Sequence, residues 1–421
     1  MAGGTPPLLG TARTHQEERP TNELPPTTID LGHLLNRAEH LGIQALQRVL
    51  DRAQGDLWEE LRRHEREDGS PRFVSWGFRP RTLYTKMGVV HLWVRRVRDR
   101  LTRKLFSPLL QALGIGKKRY TQELRLAAAE MATRTSYEEA SQAIERTLGF
   151  RIPRRTIWNF LQELAKVVEV TLHHAPPPTP ERVATQTHSV DSTFVRGKRR
   201  KQQLEVHAAI TQGQDHRVQL VDVRIGGHPA AVLEGEPVER LMTDDESGLR
   251  AFGAREQGLC QVHFCRHLAD LLGQEGLGLA EREEIVRPVK GLLAHLRNSA
   301  EAHRQDGHGA ALTHRVQVTL EELGALGHRL REGGCPRSSR FVLREMRALV
   351  VFAQVGAGLW MPATTNGMER VMGMVADRCK RKWAHWSNGL HNMVLVLLSR
   401  KIRPRVYGLA VRRYMSPGGG W

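Results

Sequence analysis

A proline-rich segment, Ala175-Pro-Pro-Pro-Thr-Pro180, separates two parts of this sequence whose apolar residues follow different periods. Before the segment, apolar residues recur mainly every three or four positions, which is typical of helices, and after it β-branched residues form short strand-like runs. A stretch so rich in proline is stiff and is typical of a linker. The sequence therefore predicts a mostly α-helical region at 29–170, a linker at 171–184 and an α/β domain after it.

Two features stand out before the linker. Residues 1–28 are rich in Pro, Thr, Gly and charge, which predicts a disordered leader. Farther along, β-branched residues around Lys86-Met87-Gly88 predict a hairpin near 82–98 with one basic strand. That strand is either a solvated edge or a contact with DNA.

A pair of helices is predicted near 136–167. Ser136 and Glu139 have the spacing of a capping box, Gly149 ends the first helix, and a second helix follows Pro153. Two helices with a short connection are typical of a helix-turn-helix. On that interpretation the residues that face the DNA groove are Arg154, Arg155 and Asn159; the alternative is an ordinary helical hairpin with a basic edge.

Strand-like runs follow the linker in close succession. Thr187–Arg196, Leu204–Thr211 and Val218–Ile225 predict three antiparallel strands. A short fourth strand ends at Asp244, and Gly258–His263 predicts a fifth; the rest is mainly helical. The sequence thus predicts an α/β domain formed by 185–265 and 346–400, a helical insertion with its own core at 266–345, and a basic tail at 401–421.

The charge balance points to a polyanionic partner. The chain has 63 Lys and Arg against 45 Asp and Glu, a net charge of +18, and each neutralised phosphate releases counterions. An anionic membrane surface is the alternative, but the sequence lacks an apolar run of about 18 residues and an apolar signal region. With only four cysteines, we expect a reducing, cytoplasmic setting near the nucleoid, with neither a membrane nor a small-molecule substrate.

Three acids suit phosphodiester chemistry. Asp191 lies within the first strand, Asp244 closes the fourth, and Glu369 lies near the start of a helix. Two Mg²⁺ ions about 3.5–4 Å apart activate an attacking oxygen and stabilise a leaving oxygen, and such hard cations prefer carboxylates. Any one of these acids alone is best explained as an ordinary surface or capping residue. Their order along the chain, two on strands and then one on a helix, favours a site that all three share.

The motifs around these acids resemble those of bacterial Mutator-type insertion-sequence transposases of the DDE class. The resemblance covers roughly 120–400, and its most specific part is the last motif. The spacings between the acids, 53 and 125 residues, also fit. The matching motifs are Val190-Asp191-Ser-Thr, Thr243-Asp244-Asp-Glu-Ser-Gly248-Leu249, Cys260-Gln-Val-His263 and Thr364-Thr-Asn-Gly-Met-Glu369-Arg370.

The resemblance implies an RNase H-like α/β catalytic domain with a helical insertion, preceded by a mostly α-helical DNA-binding region. It implies that Asp191, Asp244 and Glu369 are catalytic and bind two Mg²⁺ or Mn²⁺ ions. The expected reaction is cleavage at transposon ends and transfer of the 3′-hydroxyl into target DNA. The expected partners are double-stranded DNA, both ends and target, and further copies of the chain in a homodimer or larger assembly.

Further residues are assigned by their place in these motifs. Cys260, His263, Asn366 and Arg370 are expected to support the active site or bind DNA beside it, although a purely structural role for Cys260 and His263 is equally open. Asp245 stands where the family usually has glycine, so Asp244 is only the preferred ligand of the two. A basic run with interleaved Trp383 and Trp386 predicts DNA contacts, or else a solvated face with core tryptophans; its cations are Arg378, Lys380, Arg381 and Lys382.

Other interpretations remain at this stage. Zinc would recruit Cys260, His263, Cys265 and His267, but these lie within eight residues, whereas zinc ligands usually form two separated pairs, so no zinc is expected. A transposase-derived DNA-binding protein without activity would not need the acids. An RNase H-like nuclease would cut DNA without joining it.

Overall fold

The computed structural model describes residues 31–115, 118–174, 185–199, 201–244, 249, 252–306, 309–355, 360–381 and 384–416. Within these ranges the protein is a mixed α/β structure, mostly helical, with two sheets. The predicted leader at 1–28, most of the predicted linker and Asp245 lie outside the described residues.

A small sheet follows the first helix. Helix α1 (Leu31–Leu61) packs against an antiparallel sheet, and a short helix α2 (Pro108–Ala112) follows that sheet. The predicted hairpin near 82–98 is confirmed but is longer, so the region is less helical than predicted. The strands of this sheet are β1 (Phe73–Thr85), β2 (Gly88–Asp99) and β3 (Leu105–Phe106).

Three helices come next, α3 (Gln122–Ala132), α4 (Tyr137–Leu148) and α5 (Arg154–His173). The capping box of Ser136 and Glu139 is present at the start of α4, and Gly149 ends this helix with a φ of 72°, which glycine adopts without strain. The predicted helix pair is therefore confirmed. Helix α5 also continues through 171–173, which had been assigned to the linker.

The second sheet has five strands in the order β6-β5-β4-β7-β8. Its first three strands in the chain pair as antiparallel neighbours, as predicted, while the two short strands run parallel to β4. Strand β4 therefore lies in the middle of the sheet, and Asp191 follows four buried residues in it. The strands are β4 (Thr187–Arg196), β5 (Gln203–Gln212), β6 (Val218–Ile225), β7 (Arg240–Thr243) and β8 (Glu256–Leu259).

Helices make up the rest of the chain. Those of the predicted insertion share a hydrophobic core with Leu259 at the end of β8, so they form a layer on the sheet edge. This layer begins at Gln261 and ends at Gln354, wider than the predicted 266–345. The helices are α6 (Gln261–Gln274), α7 (Leu279–Asp306), α8 (Gly309–Glu332), α9 (Pro336–Gln354), α10 (Asn366–Cys379), α11 (Leu390–Ile402) and α12 (Pro404–Met415).

The largest hydrophobic cluster crosses the predicted boundary between the N-terminal region and the α/β domain. It contains Leu161 and Leu164 of α5 together with Val206 of β5 and Val394 of α11. Because these side chains exclude water jointly, helices α3–α5 belong to the same core as the sheet. This corrects the predicted separation at the linker.

The predicted basic tail at 401–421 is also corrected. Helix α12 contributes Tyr407, Ala410 and Tyr414 to the same cluster, so its basic residues lie on the outer side of a packed helix. Residues 417–421 lie outside the described part. None of the helices in the described ranges combines the length and apolar character needed to cross a bilayer.

Candidate active site

The register of β4 and β7 brings two acids to the same level of the sheet. Ser189 pairs with Met242 in the parallel ladder, and these positions differ by 53 residues, as do Asp191 and Asp244. One step of two residues along each strand therefore places the two aspartates side by side, because alternate residues share a face. Neighbouring strands lie about 4.8 Å apart, so the two carboxyl groups are close.

The pKa of Asp191 also reflects its proximity to Asp244. Burial and, next in size, the charge of Asp244 raise the pKa of Asp191 to about 6, while the Ser192 backbone N–H, donating to Oδ1 of Asp191 at 2.6 Å, acts in the opposite direction. In the described part of the chain, Oδ1 of Asp244 is buried and accepts no hydrogen bond. Two carboxylates thus share a partly dehydrated position.

Helix α10 brings the third acid to this place. Glu369 lies in its first turn, as predicted, and the helix packs against β4 and β5 through buried Met368 and Val371. Gly367 allows the close approach, since a Cβ there would come within 2.7 Å of Oε1 of Gln212 on β5. The charge of Glu369 contributes to the raised pKa of Asp191. The three predicted acids therefore lie near one another, where β7 ends beside the middle of β4.

Cys260 fastens the start of this helix. The thiol is fully buried, and its sulfur accepts a hydrogen bond from the backbone N–H of Thr365, the residue before α10, at 3.4 Å. The backbone N–H of Gln261 donates to the carbonyl of Ala363 at 3.1 Å. The segment that leads into Glu369 is thus attached to the end of β8.

His263 lies beside the acids, but not where the sequence predicted. Strand β8 ends at Leu259, Cys260 precedes helix α6, and His263 occupies its first turn. The predicted strand at 258–263 is therefore wrong beyond Leu259, because the backbone N–H of Phe264 bonds to the Cys260 carbonyl and begins a helix. Nε2 of His263 is 3.8 Å from Oε1 of Glu369, and its Nδ1 is 3.4 Å from Oγ1 of Thr365.

Cys260 and His263 also shift the pKa of each other. Hydrogen bonding to Cys260 raises the pKa of His263 against the effect of burial, and the charges of Cys260, Asp244 and Glu369 act in the same direction. Burial opposes ionisation of Cys260, but its hydrogen bonds with His263 and Thr365 outweigh burial and lower the pKa of the thiol. An imidazolium here would offset part of the negative charge of the three acids.

The donor set fits a divalent cation. Two adjacent carboxylates, one with a raised pKa and one with a buried oxygen that accepts no hydrogen bond within the described residues, carry more negative charge than His263 alone would offset. Glu369 is 41% exposed, so its side chain has room to turn toward them. Among the described residues, however, no three carboxylate, imidazole or thiol groups already have the spacing of a closed metal site.

Most of the other predicted DNA contacts lie on the surface. Arg154, Arg155 and Asn159 are exposed in the first two turns of α5, and the Arg155 guanidinium lies 4.0 Å from the centroid of the Trp158 ring. The remaining exposed residues of this group lie on α10 or just after it; they are Asn366, Arg370, Lys380 and Arg381. Lys382 and Trp383 lie outside the described residues.

The predicted contact of Arg378 with DNA is wrong, because this residue is buried. Its side chain is buried, donates from Nε and Nη2 to the carbonyl of Ala132 at the end of α3, and lies 5.1 Å from the ring of Trp386. Trp386 is itself a core residue, whose Nε1 donates to the Cys379 carbonyl. Neither side chain is available to a nucleic acid, because both hold α10 against α3.

Two polar contacts near the acids were not predicted. Thr365 belongs to the motif Thr364–Arg370, but the sequence indicates no role for it. Its backbone N–H contacts Cys260, and its hydroxyl contacts His263. Ser192 lies 2.6 Å from Nδ1 of buried His207, its cross-strand partner. Alternation puts this pair on the face opposite Asp191, and the signal for it was a histidine within an apolar strand.

Residues of the alternative zinc set lie in separate surroundings. Cys265 belongs to the core of the helical layer, where burial raises the pKa of its thiol to about 11. The ring of His267 packs against Phe341 with 4.8 Å between centroids.

Comparison with models of known protein families gives no match for this chain, and comparison with curated proteins gives none. Neither comparison assigns a function to the chain.

Proposed function

We propose that the chain is a DDE-type DNA transposase with an RNase H-like catalytic domain. The observation that carries the proposal is that Asp191 and Asp244 lie side by side on neighbouring strands, with Glu369 of α10 near them. Acids separated by 53 and 125 residues in the sequence have no local structural reason to converge. A site for divalent cations is a physical reason for such a cluster.

The strand arrangement supports the fold part of the proposal. Three antiparallel strands are followed by two strands parallel to the first, and the first strand lies in the middle. This order places the end of β7 beside the middle of β4 and leaves one face of β4 for a helix that carries the third acid. The helical layer after β8 then accounts for the long interval before Glu369.

The proposed reaction has two displacements at phosphorus. Water first bonds to the phosphorus at the transposon end, and the bond from phosphorus to the 3′ oxygen of that end breaks, leaving a 3′-hydroxyl. That hydroxyl then loses its proton and bonds to a phosphorus of the target, whose own 3′ oxygen leaves. Two Mg²⁺ or Mn²⁺ ions, when bound, would supply activation of the attacking oxygen and stabilisation of the leaving oxygen.

The protein residues have distinct roles in this scheme. Asp191 and Asp244 would hold the cations from the sheet, and Glu369 would complete the site from α10. His263 is a positioning residue, because its Nε2 faces Glu369 at 3.8 Å. Cys260 positions the helix start through Thr365. Exposed cations on α5 and around α10 would bind duplex DNA, with two ends held by a dimer or larger assembly.

A joining assay tests the proposal. The substrates are a pre-cleaved duplex end with a free 3′-hydroxyl and a supercoiled target, with Mg²⁺ or Mn²⁺ supplied. We expect joining by the wild type and its loss in Glu369→Gln, which keeps the size of the side chain but removes its charge. As a matched control, Glu322→Gln changes an exposed glutamate on α8, in the helical layer, and should join normally.

Each other outcome contradicts the transposase assignment in a specific way. Cutting without joining would indicate a nuclease, and binding without either reaction would indicate a DNA-binding protein that has lost catalysis. Full joining by Glu369→Gln would remove this residue from the site.

A further inference from the structure

The sheet formed by β1–β3 presents large aromatic side chains to solvent. Trp93 is 64% exposed, Trp76 is 53% exposed and Phe78 is 51% exposed. Apolar surface of this size is costly to leave in water. A group of such rings at one place on a protein marks an interaction surface.

The pairing of β1 with β2 puts these residues together. Phe78 lies opposite Arg95, and Pro80 lies opposite Trp93, so alternation places all four on one face of the hairpin. Trp76 follows at an irregularity in the register, next to Arg98. We call the surface formed by Phe78, Pro80, Trp93 and Arg95 the arginine–aromatic face; Trp76 and Arg98 form a separate pair beside it, at the register shift.

Arginine side chains hold the rings in place. The guanidinium of Arg95 lies 4.6 Å from the centroid of Phe78 and 5.0 Å from that of Trp58, and it donates to Oγ of Ser75 at 3.1 Å. The guanidinium of Arg98 lies 5.1 Å from the centroid of Trp76. Such cation–π contacts restrict the rings before a ligand arrives, and the other side of the hairpin is buried against α1.

The positive charge of this sheet favours a polyanionic partner. Residues 72–106 contain ten Lys or Arg and one acid, Asp99, and that acid already pairs with Arg72 at 3.2 Å. A polyanion gains from such a field, whereas an uncharged or basic protein surface does not.

The edge of the sheet is closed to another strand at the same position. The side chain of Gln54 on α1 donates to the carbonyl of Trp93 at 3.0 Å and accepts from the backbone N–H of Arg95 at 2.6 Å. These are the groups that an added strand would use. A ligand of this region therefore contacts the exposed face and its side chains.

We propose that the arginine–aromatic face binds unpaired nucleotides of single-stranded DNA. Bases stack on the rings of Trp93 and Phe78, and Arg95 and the other basic side chains of the sheet contact the phosphates. In a duplex the faces of the bases are already stacked on each other, so exposed rings gain nothing from it. This binding needs no metal ion, and it goes beyond the proposed chemistry at the acids.

Fluorescence anisotropy with the full-length protein tests the proposal. The probes are a labelled oligothymidine of about 16 nucleotides and a labelled duplex of the same length, with EDTA present. We expect Trp93→Ala to weaken oligothymidine binding by about 5- to 100-fold and duplex binding by less than about twofold. The control is Leu101→Ala, since Leu101 is 65% exposed and not aromatic and should change neither affinity.

Three results would overturn the proposal. One is oligothymidine binding by Trp93→Ala as tight as by wild type, and another is an equal loss on the duplex. The third is loss of self-association by Trp93→Ala in sedimentation with unchanged oligothymidine binding, which would identify a second copy of the chain as the occupant. Glu369→Gln should bind oligothymidine normally, so failure here and failure of the active-site proposal are distinguishable.

Discussion

The acid site and the arginine–aromatic face hold their charges in opposite ways. At the acid site, Asp191 and Asp244 are partly buried beside each other, and burial together with repulsion raises the pKa of Asp191 to about 6. On the arginine–aromatic face, Arg95 lies against the exposed ring of Phe78. The first arrangement costs stability that a bound cation would restore, whereas the second costs little and would offer positive charge to a polyanion.

The largest effect expected from this comparison is on joining. Asp244→Asn should reduce the joining rate about a thousandfold or more, because in the proposed mechanism the cations that Asp244 would help to hold contribute several kcal/mol to stabilising the transition state. The same variant should bind oligothymidine as the wild type does. A rate near the wild-type value would instead point to Asp245 as the ligand.

A second expected effect contrasts a buried arginine with an exposed one. Arg378→Ala should lower the free energy of unfolding by about 2–4 kcal/mol, since it leaves the Ala132 carbonyl without its donor and a gap beside Trp386. Arg100→Ala, at an exposed position, should change it by less than about 0.5 kcal/mol. Urea unfolding of both variants measures the difference, and equal losses would contradict the two roles.

The third effect is a pH-dependent gain of stability at the acid site. The pKa of Asp191 lies above the ordinary 3.8, so the folded protein holds this proton more tightly than the unfolded chain, and stability falls as the pH rises from about 4 to about 6. Asp191→Asn should therefore be more stable than wild type by about 1–3 kcal/mol above pH 6, in EDTA. Below about pH 4 the two proteins should unfold alike.

Unfolding in urea across this pH range measures the difference between Asp191→Asn and wild type. A gain that does not depend on pH would show that the substitution acts through packing and not through the charge. Asp215→Asn, on the turn between β5 and β6, is the control, because Asp215 is exposed.

The smallest expected effect is on the positioning of Glu369. Cys260→Ser keeps an acceptor for the Thr365 N–H and should lower the joining rate less than Cys260→Ala, which removes it. Both should leave the affinity for oligothymidine unchanged. Equal rates in the two variants would mean that the sulfur only fills space.

The sequence alone determined the local elements and the candidate acids. The capping box at Ser136, the antiparallel strands after the linker and the place of Glu369 in the first turn of its helix depend on residues near one another in the chain, so periodicity and capping residues reveal them. It missed the turn from strand to helix at Cys260, because Leu-Cys-Gln-Val-His is compatible with either structure.

Only the tertiary structure decided which charges are buried. Nothing local to Arg378 distinguishes it from its exposed neighbours Lys380 and Arg381, and its burial follows from the packing of α10 against α3. Likewise, the core that α3–α5 share with the sheet and the contact of Cys260 with Thr365 join residues that are far apart in the chain. Such contacts depend on how whole elements pack, which the spacing of residues along one element does not specify.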